Sequence, residues 1–468
     1  MSFISIGFFI FFVLLLFVLY FVKDNKKQNI VLLVASYAFY AIGDVKFLVL
    51  LIAVSLLMWF LGCCIAKQPQ SVLAKRYLIL GVLVDILVLG VFKYFNFFAE
   101  GFSNLLGLEY NALHIILPLG ISFYIFQSIS YIADVYTGKI EAAQSAWDVL
   151  LYIGFFPQIT SGPIVKAHDF FPQIKKERQI TWISISCGGQ LFLLGLFKKV
   201  VIADRLGVAV NAVYSAPEAY SGLSLLVAVL GYSLQIYYDF SGYSDMAIGI
   251  AKVLGFDLGK NFNLPYLAKN PSDFWRRWHI SLSSWFRDYV YIPLGGSRKG
   301  NFRTYLNLFI TMLLSGLWHG ASWAFVVWGA IHALASVLHK WFVDVKKKKG
   351  WDKKESKLGT AVSVIVNFCV VSILWIPFRT NDFGQTLLIL KKIFTWSAGV
   401  TYIYVFTLIF TMLLFIVELI AVKYNKGNNI WEPLDLSRFW DKIILCLFAL
   451  LIVCFAYIGD SAFIYAQF

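Results

Sequence analysis

The sequence predicts an all-α polytopic membrane protein, a single integral-membrane domain over residues 1–468, with about 11–12 transmembrane helices and further re-entrant or interfacial helices. Three observations predict it. Hydrophobic residues make up 60% of the chain and charged residues only 14%, whereas a soluble domain carries about a quarter charged. Mean hydropathy is +0.74. The remaining charges collect between apolar runs, most of them close to the roughly 20 residues that cross a ~30 Å hydrocarbon core.

The runs can be followed in order. Met1–Val22 has no positive charge ahead of its apolar stretch and no small-residue cleavage site, so it reads as a retained first span rather than a signal peptide. Lys23, Lys26 and Lys27 follow it and put the N-terminus outside, the next turn in the cytoplasm. Candidate spans then lie near 30–43, 46–66, 77–98, 113–135, 181–203, 220–239, 304–318, 321–342, 358–378, 401–423 and 441–459. The basic turns at Lys67, Lys75 and Arg76, at Lys166, Lys175, Lys176 and Arg178, and at Lys346–Lys349 with Lys353, Lys354 and Lys357 fall inside on this count, while Glu100 and Glu109 mark an outside loop. Lys198, Lys199 and Arg205 fit the alternation least well. Residues 145–165, ending in Phe155-Phe156-Pro157 and Gly162-Pro163, are too short and too punctuated for a crossing and read as re-entrant or interfacial.

The net charge of +14 could suggest nucleic acid. The basic residues sit between apolar spans, however, where they set orientation and meet anionic headgroups, and no basic soluble module is present to bind a nucleic acid. Cys63, Cys64, Cys187, Cys369, Cys446 and Cys454 lie in or beside apolar runs without metal-ligand spacing and read as small buried or lipid-facing residues. No internal repeat is visible, which disfavours the common transporter architectures.

Charge is densest in a cytoplasmic-side, re-entrant or amphipathic segment, 252–303. Asn270 can cap a helix with Pro271 at its first position and Asp273 three residues on. One helix is expected from there to Pro293, with Trp275, Trp278, His279, Leu282, Trp285 and Phe286 on one face and Arg276, Arg277, Ser283, Ser284, Arg287 and Asp288 on the other. An interfacial helix explains the tryptophans and arginines. It does not explain a histidine on the apolar side.

His319 makes a stronger case. Residues 304–338 are apolar for about 35 positions, about 52 Å as one helix, so a break is required, and Ser315-Gly316 and Gly320 are its signals. The first arm, 304–318, covers only about 22 Å, which leaves His319 at membrane depth, where an ionisable group faces protein or a cavity and is a functional candidate by default. His114, His168, His332 and His339 lie at expected span ends or turns and read as structural. A desolvated imidazole is neutral near pH 7 and can take a proton from a hydroxyl attacking an acyl carbonyl. Arg276, Arg277, Arg298, Lys299 and Arg303 could bind the phosphates of a coenzyme A thioester. No glycine-rich phosphate loop supports hydride transfer or nucleotide hydrolysis, and no histidine spacing implies a metal.

Phe274-Trp275-Arg276-Arg277-Trp278-His279 with Leu317-Trp318-His319-Gly320 resembles the paired-histidine signature of the membrane-bound O-acyltransferase family, and Tyr238-Asp239-Phe240-Ser241-Gly242-Tyr243-Ser244-Asp245 resembles the segment preceding it. The run from Asp288 through Pro293-Leu294-Gly295-Gly296 to Gly300 is similar to the alginate O-acetylation branch. The resemblance implies a central tunnel lined by His319 as catalytic histidine and His279 as the second, with Asn270, Asp273, Arg276, Arg277, Trp278, Arg287, Asp288 and Trp318 as donor- or tunnel-binding candidates. It further implies a plasma- or inner-membrane location and no tightly bound cofactor. The donor substrate would be acetyl-CoA or another acyl thioester or acyl carrier, and the acceptor a cell-surface or secreted polysaccharide reached with an extracytoplasmic esterase-like acetyltransferase partner.

The extracytoplasmic tail 461–468 resembles the aromatic C-terminus of cell-surface acylation systems, which makes Tyr465 a candidate acyl relay; Ala466 departs from the bulky aromatic expected there. A phenolate, with a pKa near 10, leaves more readily than an alkoxide. Three competing expectations are D-alanyl transfer to teichoic acid by a related enzyme, a polysaccharide or lipid-linked sugar transporter, and an inactive scaffold.

Overall fold

The structure, a computed structural model, describes residues 2–43, 45–160, 162–351, 356–424, 433–457, 459 and 464. Among these the regular structure is helical, with no strand beyond one isolated bridge between Tyr220 and Val400. Among the described residues six helices are long and apolar enough to cross a membrane: Val45–Lys67, Val72–Leu106, Trp182–Ser215, Gly222–Val253, Trp323–Lys348 and Lys357–Thr380. Shorter helices take up other apolar runs, such as Ile6–Phe21, Ile121–Tyr136 and Phe439–Phe455. This is the architecture of a multi-pass membrane protein.

The chain forms two compact units. Residues 1–193 with 244–259 make the first. Its core is Ile121–Tyr136, whose side chains are almost all buried. The apolar run that the sequence starts at 113 becomes helical only at Ile121, because Gly120 takes φ 69° and lies so close to Ile159 that a Cβ would meet its carbonyl oxygen at 2.0 Å. Only glycine fits both demands. Residues 145–165 form two short buried helices, Ala146–Gly154 and Phe156–Ile159, in keeping with a segment that does not cross. His168 caps into this unit structurally, its Nδ1 2.7 Å from Asp134 Oδ2.

Residues 194–243 with 260–468 make the second unit, which holds both motif histidines. It contains a hairpin of helices Asn301–His319 and Trp323–Lys348. Ser315-Gly316 is not the break expected from the sequence. Gly316 lies inside the first helix, where a Cβ would come within 2.5 Å of Phe325 O and 2.7 Å of Gly329 Cα, so the two backbones touch there. The chain turns at the other expected signal, through Gly320–Ser322, with Gly320 extended at φ −168°, ψ 156°.

Candidate active site

The start of the charged segment follows its sequence signal. Asn270 Oδ1 accepts the Asp273 N–H at 2.8 Å and Pro271 occupies the first turn. The single helix expected from there to Pro293 does not form. Pro271–Arg277 ends after seven residues, His279 takes the left-handed conformation at φ 43°, ψ 56°, and Ile280–Phe286 starts a second short helix that runs into a wide turn, Arg287–Tyr291. The returning segment 261–263 causes the break by taking up the freed backbone groups: Asn263 N–H donates to Arg277 O at 2.8 Å, and Ile280 N–H to Asn261 O at 2.8 Å. A non-glycine residue held left-handed costs on the order of 1–3 kcal/mol and persists where its surroundings over-determine it.

The same Asn261 fixes the His279 ring. His279 Nδ1 lies 3.1 Å from Asn261 Oδ1. The Ser281 backbone N–H, which can only donate, reaches that atom at 3.3 Å, and the Ser281 hydroxyl reaches it at 2.9 Å. The atom is therefore an acceptor, and Nδ1 carries the hydrogen. Nε2 is left as the basic nitrogen. His279 lies outside the six spans, is 0% exposed, and its burial pushes the imidazole from its usual range down to about 3. The ring is neutral at physiological pH.

His319 is the last residue of Asn301–His319 and is 2% exposed. Its ring sits among Trp318, Trp328 and Phe378, with centroids 5.1, 5.1 and 5.3 Å away. Trp318 also lies 6.0 Å from the His279 ring, so one indole touches both histidines. Phe240 closes the far side of His279 at 4.6 Å, edge to face. His279 is thus a tautomer-fixed neutral acceptor, and His319 stands at the C-terminal end of its helix, beside carbonyls that carry partial negative charge.

The other predicted residues divide. Trp278 is fully buried against Trp375 at 5.0 Å. Asp273 pairs with Arg277, Oδ1 to Nε at 3.0 Å, and Arg287 with Asp288, Nε to Oδ1 at 2.7 Å, so these four charges form local pairs. Arg276, Arg298, Lys299 and Arg303 are exposed. Tyr465 lies outside the described residues, as do Lys353 and Lys354.

Sequence reasoning missed a row of polar aromatics. His332 is not at a span end but inside Trp323–Lys348, 1% exposed, with Trp328 at 4.7 Å and Trp275 at 5.1 Å. Trp328 stacks on Trp375 at 5.7 Å. The Nε1 atoms of Trp275, Trp328 and Trp375 and Nε2 of His332 are buried and have no hydrogen-bond partner among the described residues. Buried polar groups are normally paired, and this row of unpartnered atoms runs from beside His319 to the residue before exposed Arg276. The i, i+4 spacing of Trp328 and His332 was the available signal.

Comparison with known proteins shows the family. The family described as MBOAT, membrane-bound O-acyltransferase family, matches residues 32–378, which include both histidines. A Pseudomonas putida protein named "Probable alginate O-acetylase AlgI" is 42% identical over 78% of this chain and 74% of its own length. A Helicobacter pylori peptidoglycan O-acetyltransferase is 33% identical over 83% of this chain and 77% of its own. A Bacillus subtilis teichoic acid D-alanyltransferase is 29% identical over 53% and 65%. With a match of that extent, and relatives this similar over most of its length, the chain belongs to the membrane-bound O-acyltransferase family.

Proposed function

We propose that this O-acyltransferase takes an acetyl group from a cytoplasmic thioester of the acetyl-CoA kind and passes it across the plasma or inner membrane to a hydroxyl of a cell-surface or secreted polysaccharide. The observation that carries the reading is the convergence of His279 and His319 on Trp318 inside a buried aromatic wall. Relatives named for O-acetylation of alginate and peptidoglycan favour acetyl over D-alanyl transfer, because the D-alanyltransferase match is lower in identity and covers less of the chain.

In this mechanism His319 accepts the proton of an attacking hydroxyl as its oxygen bonds to the thioester carbonyl carbon. The C–S bond breaks, and the leaving thiolate takes the proton back from the imidazolium. His279, held by Asn261 with Nε2 as acceptor, orients the reacting hydroxyl. The aromatic wall excludes water and so protects the thioester from hydrolysis. Trp275, Trp328 and Trp375 donate hydrogen bonds to the amide oxygens of the donor arm, with His332 Nε2 beside them, and Arg276, Arg298, Lys299 and Arg303 supply charge for its phosphates.

The attacking hydroxyl is that of Tyr465, and an extracytoplasmic esterase-like partner moves the acetyl group from the tyrosyl ester to the polymer. Mass analysis of surface-glycan O-acetylation in cells with and without the chain tests the reading. Loss of acetyl ester on deletion supports it, and an unchanged acetyl content overturns it. Full acetylation with Tyr465→Phe would remove the tyrosine from the route.

A further inference from the structure

Lys199, Asp204 and Asp239 form a buried ion cluster in the second unit. Lys199 Nζ lies 2.6 Å from Asp239 Oδ1 and 2.8 Å from Asp204 Oδ1, and all three side chains are 5% exposed or less. Lys199 stands in the wide turn Phe197–Ala203, whose five-residue closure brings it round to face Asp204. Two carboxylates against one ammonium leave the cluster one positive charge short. A buried carboxylate stays ionised only when donors fill its remaining oxygen positions.

The donor for Asp239 comes from the far end of the chain. Ile464 N–H donates to Asp239 Oδ2 at 2.8 Å, a bond spanning 225 positions. The same platform holds the chain where it leaves its final helix: Arg205 Nε donates to Phe455 O at 2.7 Å, and Tyr457 N–H to Val200 O at 2.8 Å. Three hydrogen bonds therefore fasten points between 455 and 464 to residues 200, 205 and 239. Asp239 is followed by Phe240, whose ring lies edge to face on His279. Ile464 is followed by Tyr465.

We propose that the Lys199–Asp204–Asp239 cluster is a latch that docks the C-terminal tail through the Ile464 N–H and so positions the tail for acyl exchange. The effect on transfer rests on the reading of Tyr465 as acyl carrier. Docking itself does not. Lys199 and Asp204 act through Asp239, and all three are positioning residues.

The test uses the full-length purified protein in detergent, carrying Phe468→Cys and labelled with a maleimide. The rate is corrected for the six native cysteines by labelling the chain without Phe468→Cys. Ile464→Pro removes the backbone N–H and leaves the ion cluster untouched. Ile464→Ala shortens the side chain but keeps the N–H. Labelling at least 10-fold faster in Ile464→Pro than in Ile464→Ala, at unchanged thermal stability, is expected, and equal rates overturn the latch. Asp239→Asn should accelerate labelling in the same direction, and adding it to Ile464→Pro should give little further gain; full additivity overturns the latch. Acetyl transfer measured on the same variants separates the two claims. Faster labelling with undiminished transfer supports docking and refutes the carrier role, whereas equal labelling with transfer still abolished by His319→Ala refutes the latch alone.

Discussion

The indole of Trp318 stands against the imidazole of His279 with ring centroids 6.0 Å apart at 64°, and the next residue in the chain is His319. In the proposed mechanism a side chain in contact with both histidines helps set their placement, and misplacement by about 1 Å costs on the order of 100-fold in rate. Trp318→Ala should lower kcat by about 10- to 100-fold with normal protein abundance, and Trp318→Phe should recover part of it. Acetyl-transfer rates on purified variants check this; a Trp318→Ala enzyme with wild-type kcat removes the indole from the mechanism.

Asn261 accepts from His279 Nδ1 and decides which ring nitrogen is basic. Loss of such an outer partner typically costs 10- to 100-fold. Asn261→Leu should fall in that range, while Asn261→Asp, which keeps an acceptor at the same place, should retain more activity. Equal loss in both variants would mean that Asn261 matters only for folding the 261–263 segment.

Burial holds the His279 imidazole at about 3 in the folded protein, against about 6.5 for an unfolded chain. The folded state therefore binds this proton less readily than the unfolded state. The neutral ring's contribution is fully present above about pH 6.5 and is lost as pH falls toward about 3, by up to about 1.4 kcal/mol per unit. Thermal melts in detergent at pH 7.5 and 5.0 should show an acid-induced drop in Tm that shrinks in His279→Gln. An equal drop in both proteins assigns the acid sensitivity elsewhere.

At Gly316 an added Cβ meets the backbone of the facing helix rather than a movable side chain. Gly316→Val should destabilise by about 1–3 kcal/mol and depress activity by shifting His319 three residues along. Gly189→Val, where a Cβ would meet nothing within 4 Å, is the matched control. Melting temperatures of the two variants decide: a loss confined to Gly316→Val is expected, and equal values contradict the close-packed hairpin.

The sequence exposed those features that depend on neighbouring residues. Asn270 and Pro271 announced a helix start because capping is local, and apolar run length exposed the membrane class. Features set by distant contacts were hidden. The break at His279 depends on Asn261 and Asn263, which reach back over more than a dozen residues to claim its backbone. Gly316 read as a break because glycine marks either a bend or a close approach, and only the facing Gly329 distinguishes them. His332 lies in the middle of the expected span 321–342 and not at its end; what the sequence hid is that Trp275, far off in the chain, closes on its ring together with Trp328. The tail's tie to Asp239, 225 positions away, had no local signal at all.

In the proposed mechanism the buried His319 imidazole is the base of the acyl transfer. The acetyl-ester content of surface polysaccharide in cells expressing His319→Ala, at the abundance of the unaltered protein, measures this. A fall to the level of cells lacking the chain is expected, and acetylation retained at the unaltered level would rule His319 out as the base.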